Sequence, residues 1–134
     1  MSEGAKQAAR KQPTARQQLG DFGERMAAQR LEVAGMRVLA TKVRLKRGEI
    51  DLVAEDGEDV VFVEVRTRRA NSGVAAESLT PVKLRRMWQC AMDYCEAQGI
   101  DPARARIDVV TLDLDRVGRI AALEHFRGIE IPSE

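Results

Sequence analysis

Several residue types are scarce in these 134 residues, and each scarcity narrows the reading. There is one histidine, His125; it has no partner of its kind, and no role is assigned to it. The two cysteines, Cys90 and Cys95, are five apart in a helical pattern, so a regular helix turns them roughly 140° from each other. They share no ligand face and no third cysteine could complete a site, which leaves two reduced thiols with at least one in the core. One tryptophan and one tyrosine supply little stacking surface for unpaired bases, and Trp88 sits on an apolar helical stripe, a core position. No apolar run nears the roughly 18 residues of a membrane span. The start, Met1-Ser2-Glu3-Gly4-Ala5-Lys6, holds no apolar signal core, so the expected location is the cytoplasm. Repeats and a glycine-rich phosphate loop are missing, and the net charge of +1 is too small to announce a nucleic-acid partner by itself. Only the local distribution of charge can carry that argument.

The chain length suits a single domain, able to bury about two thirds of its unfolded surface. Residues 1–14 are small, polar and basic and are expected to form a disordered tail, leaving 15–134 as the folded unit. Leu19, Phe22, Gly23, Met26, Ala27 and Leu31 recur at helical spacing from Thr14 to a closing Gly35, with Glu24 at the edge of the stripe. A strand from Met36 to Leu45 is followed by two more, Gly48–Ala54 and Val60–Arg66, joined by the acidic turn Glu55-Asp56-Gly57-Glu58-Asp59. Short connections predict an antiparallel meander. A loop through Asn71-Ser72-Gly73 leads to Thr80 and Pro81, which open a second helix along Leu84, Met87, Trp88, Ala91 and Cys95, closed by Gly99. Asp108 lies in a fourth apolar strand, and a short fifth runs near Ile120–Phe126. The order α-β-β-β-α-β-β describes an α/β domain with a mixed sheet flanked by helices.

The charges within the two central strands are the unusual feature. Asp51 lies between Ile50 and Leu52, and Glu64 between Val63 and Val65. A buried carboxylate costs on the order of 3 kcal/mol unless it is paired or holds a metal. If Asp56–Asp59 form a four-residue loop, Asp51 opposes Glu64; if Asp56-Gly57 form a two-residue loop, Glu49 does. Either register puts Glu49, Asp51, Glu64 and Arg66 on one face with Phe62. Three close carboxylates repel unless a cation joins them, and Mg²⁺ or Mn²⁺ suits their hard oxygens. Such an ion makes water a better nucleophile and offsets charge on a phosphate. A second reading is a ladder of ion pairs among Arg44, Glu49, Glu64 and Arg66.

Gly20-Asp21-Phe22-Gly23-Glu24, then Arg47–Val53, Val61–Arg68, Lys83 and Arg106–Val110, resemble the YraN family of small bacterial proteins over about residues 17–126. That family resembles the PD-(D/E)xK nucleases, which include restriction endonucleases and archaeal Holliday-junction resolvases. The resemblance implies a restriction-endonuclease-like mixed sheet with helices on both sides. It also implies metal-dependent hydrolysis of DNA phosphodiesters, of branched or structured DNA in resolvase-like members. It makes Asp51 the first acid, Glu64 the second and Glu24 the helix-borne acid. Arg66 stands at the lysine position and Ile50 at the proline. Arginine does not give up its proton near neutral pH, so Arg66 would act as a phosphate clamp, with Lys83 as a second cation able to reach the centre. Asp51, Glu64 and Glu49 are the expected metal ligands. Arg44, Arg47, Arg68, Arg69, Lys83 and Arg86 are the expected nucleic-acid contacts, carrying no sequence information. Resolvase-like relatives also imply a homodimer. Two other outcomes stay open: a non-catalytic nucleic-acid-binding module on a degenerate nuclease fold, and an interaction protein whose carboxylates are only ion-paired.

Overall fold

The computed structural model describes residues 12–70 and 79–133. The expected tail, up to residue 11, and the loop at Asn71-Ser72-Gly73 lie outside the described residues.

Helix α1 spans Ala15–Val33 and opens with a reciprocal cap. Thr14 Oγ1 accepts from the Gln17 amide at 3.1 Å, while the Gln17 side chain accepts from the Thr14 amide at 2.8 Å. After Ala34 the chain turns at Gly35, whose φ of +92° suits a residue without a Cβ. Strands β1 (Arg37–Leu45), β2 (Gly48–Asp56) and β3 (Asp59–Arg69) form the expected antiparallel meander. Helix α2 (Pro81–Gln98) is capped by the Thr80 hydroxyl, which accepts from the Lys83 amide, and ends at left-handed Gly99. A single 3₁₀ turn, Pro102–Arg104, leads into β4 (Ala105–Leu114), and β5 (Ile120–Phe126) follows.

The sheet order is β1-β2-β3-β4-β5. Only β3 and β4 run parallel, because α2 carries the chain back across the sheet between them. Alternation along β3 then assigns the faces. Val61 and Val63 pack with Ala27 and Leu31 of α1, while Val60 and Phe62 pack with Cys90, Ala91 and Cys95 of α2. The helices therefore cover opposite faces, and the α/β class with a mixed sheet between two main helices is the one the chain adopts. Trp88 packs against the α2-side core, and Phe62 meets Tyr94 edge-on at 5.5 Å. Both cysteines are free and buried.

Asp108 is the fully buried acid of β4, and it is held by structure. Arg106 grips both its oxygens at 3.0 Å, the Gly128 amide donates at 3.0 Å, and His125 Nε2 lies 2.8 Å away. Burial pushes the Asp108 pKa up, but Arg106, the Gly128 amide and His125 outweigh it and hold the group below the usual carboxylate range. An ionised carboxylate only accepts, so Nε2 carries the proton of that bond. His125 thus has a role the sequence did not assign: it ties β5 to β4. Among the described residues, no helix is long and apolar enough to cross a membrane.

Candidate metal and nucleic-acid site

The β2–β3 ladder runs from Asp56↔Asp59 to Leu52↔Val63, with left-handed Gly57 in the turn. This is the register of the four-residue-loop case, extended by one pair, and its next step sets Asp51 opposite Glu64. At that step the ladder opens. β2 stays on β1 through Val43↔Ile50 and Arg44↔Glu49, while β3 stays on β4 through Glu64↔Val109 and onward. The strands fork, and the Val65 N–H loses the β2 carbonyl it would have met. Asp51 takes that place: its Oδ2 accepts the Val65 amide at 2.8 Å. The carboxylate is thereby drawn into the plane of the sheet, in the crotch of the fork.

The β1–β2 ribbon changes face at the same point. Ile50 and Val53 both pack on the α2 side, although strict alternation would separate them. In β1 the corresponding residue, Lys42, has a φ of +49°. Its position between Thr41↔Leu52 and Val43↔Ile50 faces Asp51 in the register.

Glu64 reaches Asp51 from the α2 side. Burial, followed by a hydrogen bond to Asp51 and the Asp51 charge, pushes its pKa up to about 8, against the pull of Arg66 and Lys83. At neutral pH Glu64 therefore keeps its proton. Glu49, Ile50, Asp51, Phe62, Val63, Glu64 and Met87 line the narrow cleft at the fork. Glu24 belongs to α1, and its side chain is only 14% exposed. Burial raises its pKa and Asp51's charge adds to that, while a hydrogen bond from Lys42 opposes both. The helix-borne acid is thus an electrostatic neighbour of Asp51.

The sequence-predicted residues separate into groups. Asp51 and Glu64 are brought into contact, Glu24 comes close enough to feel Asp51, and Arg66 and Lys83 act on Glu64 through their charge. Glu49, Asp51 and Glu64 line one cleft, but among the described residues no three His, Cys, Asp or Glu side chains gather around one point. Glu49 lies on the arm of β2 that has left β3, and its carboxylate faces Arg44 at 3.5 Å. Arg47 forks onto Asp93 of α2 at 2.7 and 3.0 Å, and Arg68 onto Asp113 of β4 at 2.7 and 3.2 Å. Those two arginines already have carboxylates. Arg69 and Arg86 are exposed. Lys42 of β1, to which the sequence assigned no site role, is the partner of Glu24; a left-handed lysine leaves no local signal. As a donor set, Asp51 and Glu64 are two hard oxygen groups that could hold a divalent ion in place of the Glu64 proton.

The matching family model is described as "Uncharacterised protein family UPF0102" and aligns with residues 23–112. A relative from Kineococcus radiotolerans is 41% identical over 117 residues, covering 86% of this chain and 95% of the relative. One from Pelotomaculum thermopropionicum is 42% identical over 113 residues, covering 84% and 94%. Among solved structures, Pyrococcus furiosus SfsA in complex with Ca²⁺ overlaps with a TM-score of 0.41 at 17% identity, over 84% of this chain and 64% of that one. With a family match across more than half of its length and relatives aligned almost end to end, the chain belongs to the uncharacterised protein family UPF0102, the YraN family.

Proposed function

We propose that the fork is a metal-dependent centre for hydrolysis of DNA phosphodiesters, with structured or branched DNA as substrate. The observation that carries this reading is the contact between Asp51 and Glu64, two acids on neighbouring strands hydrogen-bonded to each other where the ladder opens. A fold gains nothing from forcing two carboxylates together there, since an apolar pair would fill the cleft at lower cost. Mg²⁺ or Mn²⁺, when bound, supplies Lewis-acid charge beside the phosphate and acidifies water. Asp51 is already oriented by the Val65 amide, and Glu64 would give up its proton to an ion bound at the pair. Arg66 and Lys83 lend positive charge on the α2 side, suited to phosphate oxygens. Glu24 assists through solvent from the α1 side. Cutting both strands of a duplex would take two copies of the chain.

Arg66 supports a second reading, a nucleic-acid-binding module without turnover, because an arginine at this position cannot take a proton from water. One experiment separates the two. Calorimetric titration of Mn²⁺ should show binding to the wild type and none to Asp51→Ala, and equal, negligible binding by both removes the metal site. Incubation of linear and four-way-junction DNA with Mn²⁺ should then give products that Glu64→Ala abolishes. Salt-dependent DNA binding without products selects the second reading.

A further inference from the structure

The α1 side of the fork holds a second charged group, of which the hydrolytic reading uses only Glu24. Asp21 and Glu24 are three residues apart on α1, so their side chains are neighbours on its surface. Alone they would repel. Lys42 of β1 sits between them, its Nζ 2.7 Å from Asp21 Oδ1 and 2.9 Å from Glu24 Oε1. Among the described residues Lys42 is the non-glycine residue with positive φ, a backbone conformation that strains a side chain with a Cβ. The same backbone turn sits opposite Asp51 in the β1–β2 register. The hollow at this face, lined by Asp21, Glu24, Arg25, Thr41 and Lys42, is open to solvent, so access does not keep a hydrated ion away from the two acids. The ammonium itself occupies the space between them.

We infer that the Lys42 ammonium is the centre's built-in second cation, so that the fork takes one divalent ion, at Asp51 and Glu64, and the α1-side acids take none. This rests on the metal-dependent reading above. A compact ammonium with three donors meets two carboxylates much as a small cation would, and it compensates the charge of Glu24 beside Asp51. It also distinguishes the two sides of the fork: the acids meet each other directly on the α2 side, and a lysine joins them on the α1 side.

The test counts Mn²⁺ bound to the full chain, by calorimetry and by electron paramagnetic resonance of the free ion. Wild type should bind one ion per chain. Lys42→Gly removes the ammonium while relieving the positive φ and should bind two; Lys42→Arg keeps the cation and should bind one. Should Lys42→Gly prove unfolded by circular dichroism, Lys42→Asn, which tolerates the left-handed region, takes its place with the same expectation. Two ions on the wild type, or one on a folded Lys42→Gly or Lys42→Asn, overturns the inference. No ion on the wild type overturns the metal-dependent reading instead and takes the inference with it, so the two failures are distinguishable.

Discussion

Glu64 gives the site a measurable pH signature. Its folded pKa is raised from 4.5 to about 8, so the folded protein holds a proton that the unfolded chain has already released across that window. Stability is therefore fullest at the acid end and falls as the pH rises from about 4.5 to about 8, by on the order of 1 kcal/mol per pH unit. Thermal unfolding of the wild type should show a melting temperature declining over this range, and Glu64→Gln, which cannot ionise, should flatten that decline. A wild-type profile parallel to that of Glu64→Gln would show that the acids are not coupled in the fold.

At the scale of elements, α1 is seated on the sheet by an absence. A Cβ built on Gly23 would collide with the Thr67 side chain of β3, with Oγ1 nearest and Cβ next at 3.3 Å. Alanine is the better helix former by about 1 kcal/mol, so Gly23→Ala at an open site would stabilise the protein. Here overpacking of about 1–3 kcal/mol opposes that gain, and chemical denaturation should find the variant less stable than the wild type. Adding Thr67→Ala, which deletes the nearest atom, should recover part of the loss.

Elements of this kind were largely legible in the sequence. Thr14 with Gln17, Thr80 with Pro81, and Gly99 announce helix ends because capping is local chemistry. The hairpin register is one of the two that turn length allowed, the one that sets Asp51 opposite Glu64. The fork was not legible, because it arises from β1 and β4 pulling β2 and β3 apart, and those contacts join residues distant in the chain. For the same reason the sequence could not show that Glu49 lines the cleft with Asp51 and Glu64 while its carboxylate faces Arg44. Asp108 could be seen as a strand carboxylate, yet two of its partners, His125 and Gly128, come 17 and 20 residues later.

Across the whole molecule, opposite charges are matched unevenly. At the turn end of the β2–β3 hairpin, Arg37 and Arg104 meet Glu55, Arg106 meets Asp56 and Asp59, and Arg127 approaches Asp56 at 3.9 Å. The acidic turn is thus wrapped in arginines. Arg47 is likewise committed, to Asp93, whereas Arg69 and Arg86 are exposed. A near-neutral chain can still present a cationic surface if its compensated arginines lie elsewhere. In a salt series of DNA binding followed by fluorescence anisotropy, Arg69→Ala should reduce the slope of log affinity against log salt by about 1. Arg47→Ala should leave that slope in place and lower the melting temperature. The reverse pattern would move the binding surface to the β1–β2 turn.

The Val65 amide, bonded to a side chain where its neighbours on β3 bond to backbone, has a further consequence. A peptide carbonyl keeps its hydrogen bond whatever the pH, but a carboxylate weakens or strengthens its own as it gains a proton or turns toward a cation. The exchange of this one backbone hydrogen with solvent is therefore tied to the hydrogen bonding of Asp51 and, through their contact, to Glu64. The chain carries, in its own main chain, a readout of the state of its two central acids.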